Sequence, residues 1–174
     1  MYPVFEDVRC GAMVESEIEL FADIAFRSQG AGGRSREKIA ECLRHLLPLG
    51  GARAVAFDRG EAIGFQVGCD HHAMSHGATD LPRETFYLSD LAVLPGHRRR
   101  GIGSVLMRAL VEYALPPYEH VFLHAVEGST CERALSARGL VARADYGGRK
   151  GLFANKELVA ALRAQSSKET RLSR

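Results

Sequence analysis

Tryptophan is absent from the chain, and cysteine is both scarce and unpatterned: Cys10, Cys42, Cys69 and Cys131 form no C-x-x-C pair. That spacing spells neither a zinc ribbon nor a thioredoxin-type redox site and fits a reduced, cytoplasmic chain. No apolar run approaches the roughly 18 residues of a membrane-spanning helix. Glu6 and Asp7 fall where a secretory leader would need apolar residues, so the expectation is a soluble, unexported protein with no membrane partner. An excess of one charge is lacking too. The 23 Lys and Arg face 21 Asp and Glu, a formal charge of +2, and the pI of 8.4 stays below the value of about 9 that marks a nucleic-acid-binding domain. Nucleic acid is therefore unsupported as a partner.

What remains is ordinary globular composition, 46% apolar and 25% charged over 174 residues, sufficient for a core without staples. The expected organisation is one domain over 1–160 and a polar tail over 161–174, fraying from Gln165. Eighteen glycines stand out, and most read as punctuation. Ile18, Phe21, Ile24 and Ala25 recur at helical spacing, as do Ile39, Cys42, Leu43, Leu46 and Leu47. Gly30, Gly32 and Gly33 separate these two helices, Ser35 is placed to cap the second, and Pro48, Gly50 and Gly51 end it. Ala54 to Phe57 and Ala62 to Val67 flank Asp58-Arg59-Gly60 as a β-hairpin. After a polar stretch from Asp70 to Arg83, Glu84 to Leu94 reads as a strand. Ile102, Val105, Leu106, Ala109, Leu110 and Tyr113 then form the clearest apolar stripe of the chain, stopped by Pro116-Pro117. A strand at Val121 to Val126, a short helix from Thr130 to Arg138 closed by Gly139, and terminal strands at Leu140 to Ala142 and Gly151 to Ala154 complete an α/β pattern with a mixed sheet.

The chemistry-bearing segment runs from Asp90 through Leu91, Ala92, Val93, Leu94, Pro95, Gly96, His97, Arg98, Arg99, Arg100, Gly101, Ile102 and Gly103 to Ser104. A strand enters a basic, glycine-bearing turn that opens directly into the strongest helix. The first N–H groups of a helix have no intrahelical partners and lie at the positive end of its dipole, so this arrangement suits a phosphate. No Lys-Ser or Lys-Thr follows either glycine, which excludes a Walker A loop. Leu106, three residues beyond Gly103, breaks the dinucleotide fingerprint.

Val93, Pro95, Arg98, Gly101, Gly103 and Leu106 fill the pattern V-x-P-x-x-R-x-x-G-x-G-x-x-L. This resembles the acetyl-CoA-binding motif of the GCN5-related N-acetyltransferase (GNAT) superfamily, with flanking elements in the family's order from about Val4 to Phe153. The resemblance implies a mixed, mostly antiparallel central β-sheet flanked by helices. It implies acetyl-CoA as cosubstrate, with N–H groups of Arg99, Arg100, Gly101, Ile102, Gly103 and Ser104 beside Arg98 at the pyrophosphate. The strand through Leu91, Ala92 and Val93 would pair with the pantetheine arm and aim an amide at the thioester oxygen.

Downstream, the sequence departs from the family pattern. The position of the usual tyrosine acid holds Leu135 and that of the usual asparagine falls near Gly128. Ser129 and Cys131 are alternative contacts for the pantetheine or sulfur, although Cys131 reads first as a small packed residue. The usual glutamate base is replaced by Ser89 and Tyr87, which cannot take a proton at neutral pH. Asp90 interrupts an apolar face read as Phe86, Leu88 and Ala92. A carboxylate there is costly unless paired or used, so it is the leading candidate to bind or deprotonate an amine, against an ion pair with an arginine. Asp90, Ser89 and Tyr146 form the candidate catalytic set, with Glu84 in reserve. His71, His72 and His76 read as a loop cluster rather than a metal site, His97 as solvent-facing beside the phosphates, and His124 as a satisfied core or groove residue. The expected activity is direct transfer of acetyl to the primary amine of a small molecule. Modification of a protein N-terminus or aminoacyl-tRNA, and a CoA-binding module without catalysis, are the alternatives. A homodimer is expected as the assembly.

Overall fold

Seven strands pair into one sheet. In chain order the elements are β1 (Asp7–Ala12), α1 (Ile18–Ser28), α2 (Arg36–Arg44), β2 (Ala52–Asp58), β3 (Glu61–Asp70), α3 (His71–Met74), β4 (Thr85–Val93), α4 (Ile102–Ala114), β5 (His120–Val126), α5 (Thr130–Ala137), β6 (Val141–Tyr146) and β7 (Arg149–Ala154). The computed structural model describes residues 7–29, 33–77, 79–115, 117–146, 149–161 and 164. Gly30, Gly32, Pro116 and the polar tail from Gln165 lie outside them. So does the side chain of Tyr146. Among the described residues no helix is long and apolar enough to cross a membrane.

The strand order is β1-β2-β3-β4-β5-β7-β6. Every neighbouring pair is antiparallel except β4 and β5. The expected terminal hairpin forms, but its second strand, β7, lies inside and pairs with β5. The segment read as a polar stretch from Asp70 instead begins with a helical turn, α3, whose N-cap Asp70 accepts from the Ala73 N–H at 2.7 Å.

Each sheet face carries its own core. On one, Ile102, Leu106, Leu110 and Ala114 of α4 recur every four residues, all at most 7% exposed, and pack on Ala54, Ala56, Phe86, Leu88 and Leu123. Burying each of the two leucines contributes roughly 1.5–3 kcal/mol. On the other, Phe21, Ile24, Ile39 and Leu43 of α1 and α2 cover Val55, Phe65 and Val67. There Phe21 stacks on Phe65 with ring centroids 4.8 Å apart.

The register between β3 and β4 contains the feature that shapes everything downstream. Gly68 pairs with Leu88, whereas Gln66 pairs with Leu91. Two steps along β3 therefore oppose three along β4, a β-bulge at Ser89 and Asp90. One extra residue inverts the phase of the strand. Phe86 and Leu88 lie in the α4 core, but Ala92 lies in the α1/α2 core. The face read from sequence as Phe86, Leu88 and Ala92 is thus two faces, and Asp90 is not an interruption of either. Gln66, 1% exposed, fastens the bulge from β3. Its Nε2 donates to the carbonyls of Ser89 at 3.2 Å and Asp90 at 3.3 Å, and to that of Val67 at 3.1 Å.

Two glycines of β3 have a packing role. A Cβ at Gly64 would stand 2.8 Å from the Ala92 carbonyl oxygen, and one at Gly68 would stand 2.5 Å from the Tyr87 carbonyl oxygen and 2.6 Å from the Phe86 ring. Neither backbone nor a buried ring can yield cheaply. Gly68→Val is expected to cost about 1–3 kcal/mol, read as a lower urea-unfolding midpoint at unchanged m-value.

Candidate functional site

The parallel pairing of β4 with β5 runs from Thr85–His120 to Leu88–Leu123 and stops there. Both strands continue, β4 through its bulge to Val93 and β5 to Val126, so a cleft opens between their carboxyl ends. That is where open α/β sheets bind ligands. Backbone geometry shows what β4 offers along the cleft. The Leu94 N–H donates to the Ile63 carbonyl at 2.9 Å. Because antiparallel residues alternate between facing a neighbour and facing away, Ala92 also turns its N–H toward β3, while Leu91 and Val93 turn theirs toward the cleft. The stretch Leu91-Ala92-Val93 is thus an open β edge.

At the far end of that edge the chain enters the glycine-bearing turn. Arg99 (φ 63°) and Gly101 (φ 75°) are left-handed, a conformation that favours glycine and that Arg99 holds at a cost. The turn delivers the N–H groups of Ile102, Gly103 and Ser104 to the surface at the start of α4, where no intrahelical acceptor reaches them. Ser35 caps α2 and Ser129 caps α5 with their hydroxyls, but Gly101 has no side chain with which to cap α4. A Cβ at Gly101 would meet nothing within 4 Å, and one at Gly103 would meet only Leu91 Cδ2 at 3.4 Å. The space above the helix start is open and bordered by the edge of β4.

The basic run divides by role. Arg98 Nε donates to the Val93 carbonyl at 3.2 Å and its Nη2 to the Ser28 carbonyl, tying the end of β4 to the end of α1. Arg100 Nη1 donates to His97 Nδ1 at 2.9 Å and lies 3.4 Å from Asp58. His97 is itself 3.5 Å from the same carboxylate, so it is engaged in the turn rather than directed at solvent. Arg99 is exposed, with no partner among the described residues.

The bulge sets Leu91 toward α4 and Asp90 toward the opposite face. There Arg34, just before α2, pairs with the Asp90 carboxylate at 2.5 Å, and Ser89 Oγ donates to the same carboxylate at 3.3 Å. Of the two sequence readings of Asp90, the ion pair is the one formed, and the pair remains partly open to solvent. Glu84 is exposed at the other end of β4, away from the cleft. At the start of α5, Ser129 Oγ accepts from the Glu132 N–H at 3.1 Å. Cys131 is exposed, not packed as its residue type suggested, and Leu135 is buried.

On the Asp90 face the cleft is walled by a ring cluster that the sequence did not bring together. Tyr87 Oη lies 3.1 Å from His124 Nδ1. Phe122 meets His124 edge-on at 5.0 Å between centroids and His71 at 5.1 Å. His71 Nε2 shares a hydrogen bond with Thr79 Oγ1 at 3.0 Å, and His72 Nε2 one with the Leu81 carbonyl at 3.1 Å. Burial pushes the Tyr87 hydroxyl up to about 12, with the Asp90 charge adding to it. Burial, helped by the Arg149 charge, holds His124 below the ordinary imidazole value. No group of three His, Cys, Asp or Glu among the described residues is placed to hold a metal ion. Tyr87, His124, Arg34 and Gln66 were all missed as site residues. The sequence signals were the place of Tyr87 at the family's base position, the reading of His124 as a core or groove residue, and the period-two placement of both on their strands.

Comparison with known proteins identifies the family and the fold. The model of the acetyltransferase (GNAT) family matches residues 18–135, and among curated proteins none matches the sequence. Solved structures share the fold. Ard1 from Thermoplasma volcanium is 20% identical, covering 85% of this chain and 97% of its own at a TM-score of 0.61. The PaiA N-acetyltransferase from Thermoplasma acidophilum, solved with coenzyme A, is 14% identical over 86% and 99% at 0.62. The aminoglycoside acetyltransferase AAC(6')-Ib, also solved with coenzyme A, is 16% identical over 90% and 99% at 0.65. With the motif on an uncapped helix start beside an open strand edge, and the family model covering most of the chain, the protein belongs to the acetyltransferase (GNAT) family.

Proposed function

We propose that the chain transfers acetyl from acetyl-CoA to the primary amine of a small molecule by direct attack. One observation carries the reading: the uncapped start of α4 opens at the end of the unpaired β4 edge. A ligand with an amide-bearing arm ending in a pyrophosphate matches both parts. The arm can continue the sheet where β5 has left it, and the phosphates can take the N–H groups of Ile102, Gly103 and Ser104 at the positive helix end. The space over Gly101 and Gly103 leaves room for this approach. Two of the structural relatives were solved with coenzyme A, and one is an aminoglycoside acetyltransferase, which supports a small amine as acceptor.

Acetyl-CoA supplies a thioester whose carbonyl an amine can attack. The protein's part is positioning and charge stabilisation. The Leu91 N–H, held beside the bulge, is the donor for the oxyanion that forms, a role worth roughly 3 kcal/mol. Asp90, kept on the acceptor side by the bulge and by Arg34, draws the cationic amine into the cleft.

Two measurements test this. Gly101→Glu places a carboxylate over the helix start and should weaken CoA binding by calorimetry at least about tenfold, or about 1.4 kcal/mol; undiminished affinity overturns the assignment of the cradle. In a thiol-release screen over polyamines, aminoglycosides, amino acids and peptides, Asp90→Asn should raise KM for the best amine more than it lowers kcat. Full activity with unchanged KM removes Asp90 from the site, and a peptide as the only acceptor replaces the small-molecule reading.

A further inference from the structure

The proposed transfer still needs a group to take the amine proton and one to protonate the leaving sulfur. Asp90, ion-paired with Arg34, is given the part of attracting the amine and not of taking its proton, and the family's usual acid position is the buried Leu135. We propose that His124 and Tyr87, hydrogen-bonded across the mouth of the cleft, are the acid–base pair of the reaction.

The argument rests on where the sheet parts. His124 is the first residue of β5 beyond the last pair with β4, Leu88–Leu123. Continued register would set it opposite Ser89, where β4 bulges away instead. Its ring is therefore at the point where the cleft begins. Tyr87 pairs with Phe122, and its ring leans diagonally along the strands, a reach open to aromatic side chains, to place Oη 3.1 Å from His124 Nδ1. Both rings lie on the face that carries Asp90, the acceptor side. The Leu91 side chain and the α4 start lie on the other.

The surroundings keep the pair in the required protonation states. His71 from α3, Arg149 from β7 and Tyr87 from β4 face the imidazole, and Asp90 and Cys69 act on the Tyr87 hydroxyl. Burial and the Arg149 cation disfavour imidazolium, so His124 is neutral and able to accept a proton at neutral pH. Burial and the Asp90 anion disfavour phenolate, so Tyr87 arrives protonated and able to donate. The cationic amine first gives one proton to water, and from the neutral amine the N–C bond forms as the C–S bond breaks. His124 takes at Nε2 the proton that nitrogen sheds, Tyr87 gives the proton that sulfur gains, and Tyr87 recovers one from His124 Nδ1. Tyr87 ends unchanged, His124 ends as the other neutral tautomer and is reset by proton exchange with water, and the net reaction is amine plus thioester to amide plus thiol.

The inference rests on the acetyltransfer reading, and its test separates the two. His124→Gln should lower kcat on the order of 100-fold and remove the acidic limb of the kcat–pH profile. CoA affinity by calorimetry should stay within twofold, confirming a folded protein and an intact cradle. Tyr87→Phe should lower kcat at least tenfold. In the free protein it should also move the His124 Nδ1 resonance in nitrogen-15 NMR, which does not depend on turnover. Retention of kcat within twofold and of the acidic limb in His124→Gln, or an unmoved Nδ1 resonance in Tyr87→Phe, overturns the pair and leaves the acetyltransfer reading standing. Absence of thiol release by the unsubstituted protein with every amine overturns both.

Discussion

The parting of β4 from β5 beyond Leu88 and Leu123 is the constraint on which the rest of the structure depends. A strand in mid-sheet ordinarily satisfies its N–H and C=O groups on both edges, and an unpaired edge is a binding surface for another extended chain. Here the edge from Leu91 to Val93 is open while the same residues remain fastened to β3 on the other side. Fastening requires close contact, and Gly64 and Gly68 permit it because a side chain at either position would collide with the β4 backbone. Gln66 adds buried donors at the bulge. One side of β4 is thereby overdetermined so that the other can be left free.

The bulge does a second thing that no regular strand could do. Without it, Asp90 and Leu91 would each point to the reverse face. With it, Leu91 borders Gly103 at the start of α4, and Asp90 reaches Arg34 on the α1/α2 side. The two faces of one strand are thus given different chemistry within two residues: backbone donors and a helix dipole on one, carboxylate, hydroxyl and imidazole on the other. Under the proposed direct transfer, two substrates would approach from opposite faces and meet at the strand between them.

How much of this was legible in the sequence follows from the range of each interaction. The stripe of Ile102, Leu106 and Leu110 and the spacing of Arg98, Gly101 and Gly103 are local patterns, and they located α4 and its open start. Ser35 as a cap was legible for the same reason, since its acceptor role involves Lys38 three residues on. The bulge was not legible, because alternation assigns faces only while the register is unbroken, and the extra residue at Ser89–Asp90 leaves no compositional mark. The wrong face for Asp90 followed directly. Arg34–Asp90 spans 56 residues and Tyr87–His124 spans 37. Such pairs exist only once the sheet order β3-β4-β5 is known. His97, read as facing solvent, is bound by Arg100 and Asp58, a contact between the turn and β2 that periodicity does not express.

The charge distribution bears on how the proposed phosphate site would work. Three consecutive arginines beside a phosphate motif suggest binding by cations, yet Arg98 is consumed by two carbonyls and Arg100 by His97 and Asp58. Those contacts instead fix the path of the turn: Arg98 pins the end of β4 against α1, and Arg100 pins the turn against β2. With both ends held, Arg99 and Gly101 can be kept left-handed and the first N–H groups of α4 kept outward. Preorganised backbone donors at a helix end need no reorganisation when an anion arrives, and unlike long cationic side chains they lose no rotamer freedom. On the proposed reading, a chain with a formal charge of only +2 would hold a polyanion through backbone direction, and two of its three local arginines serve to hold that direction.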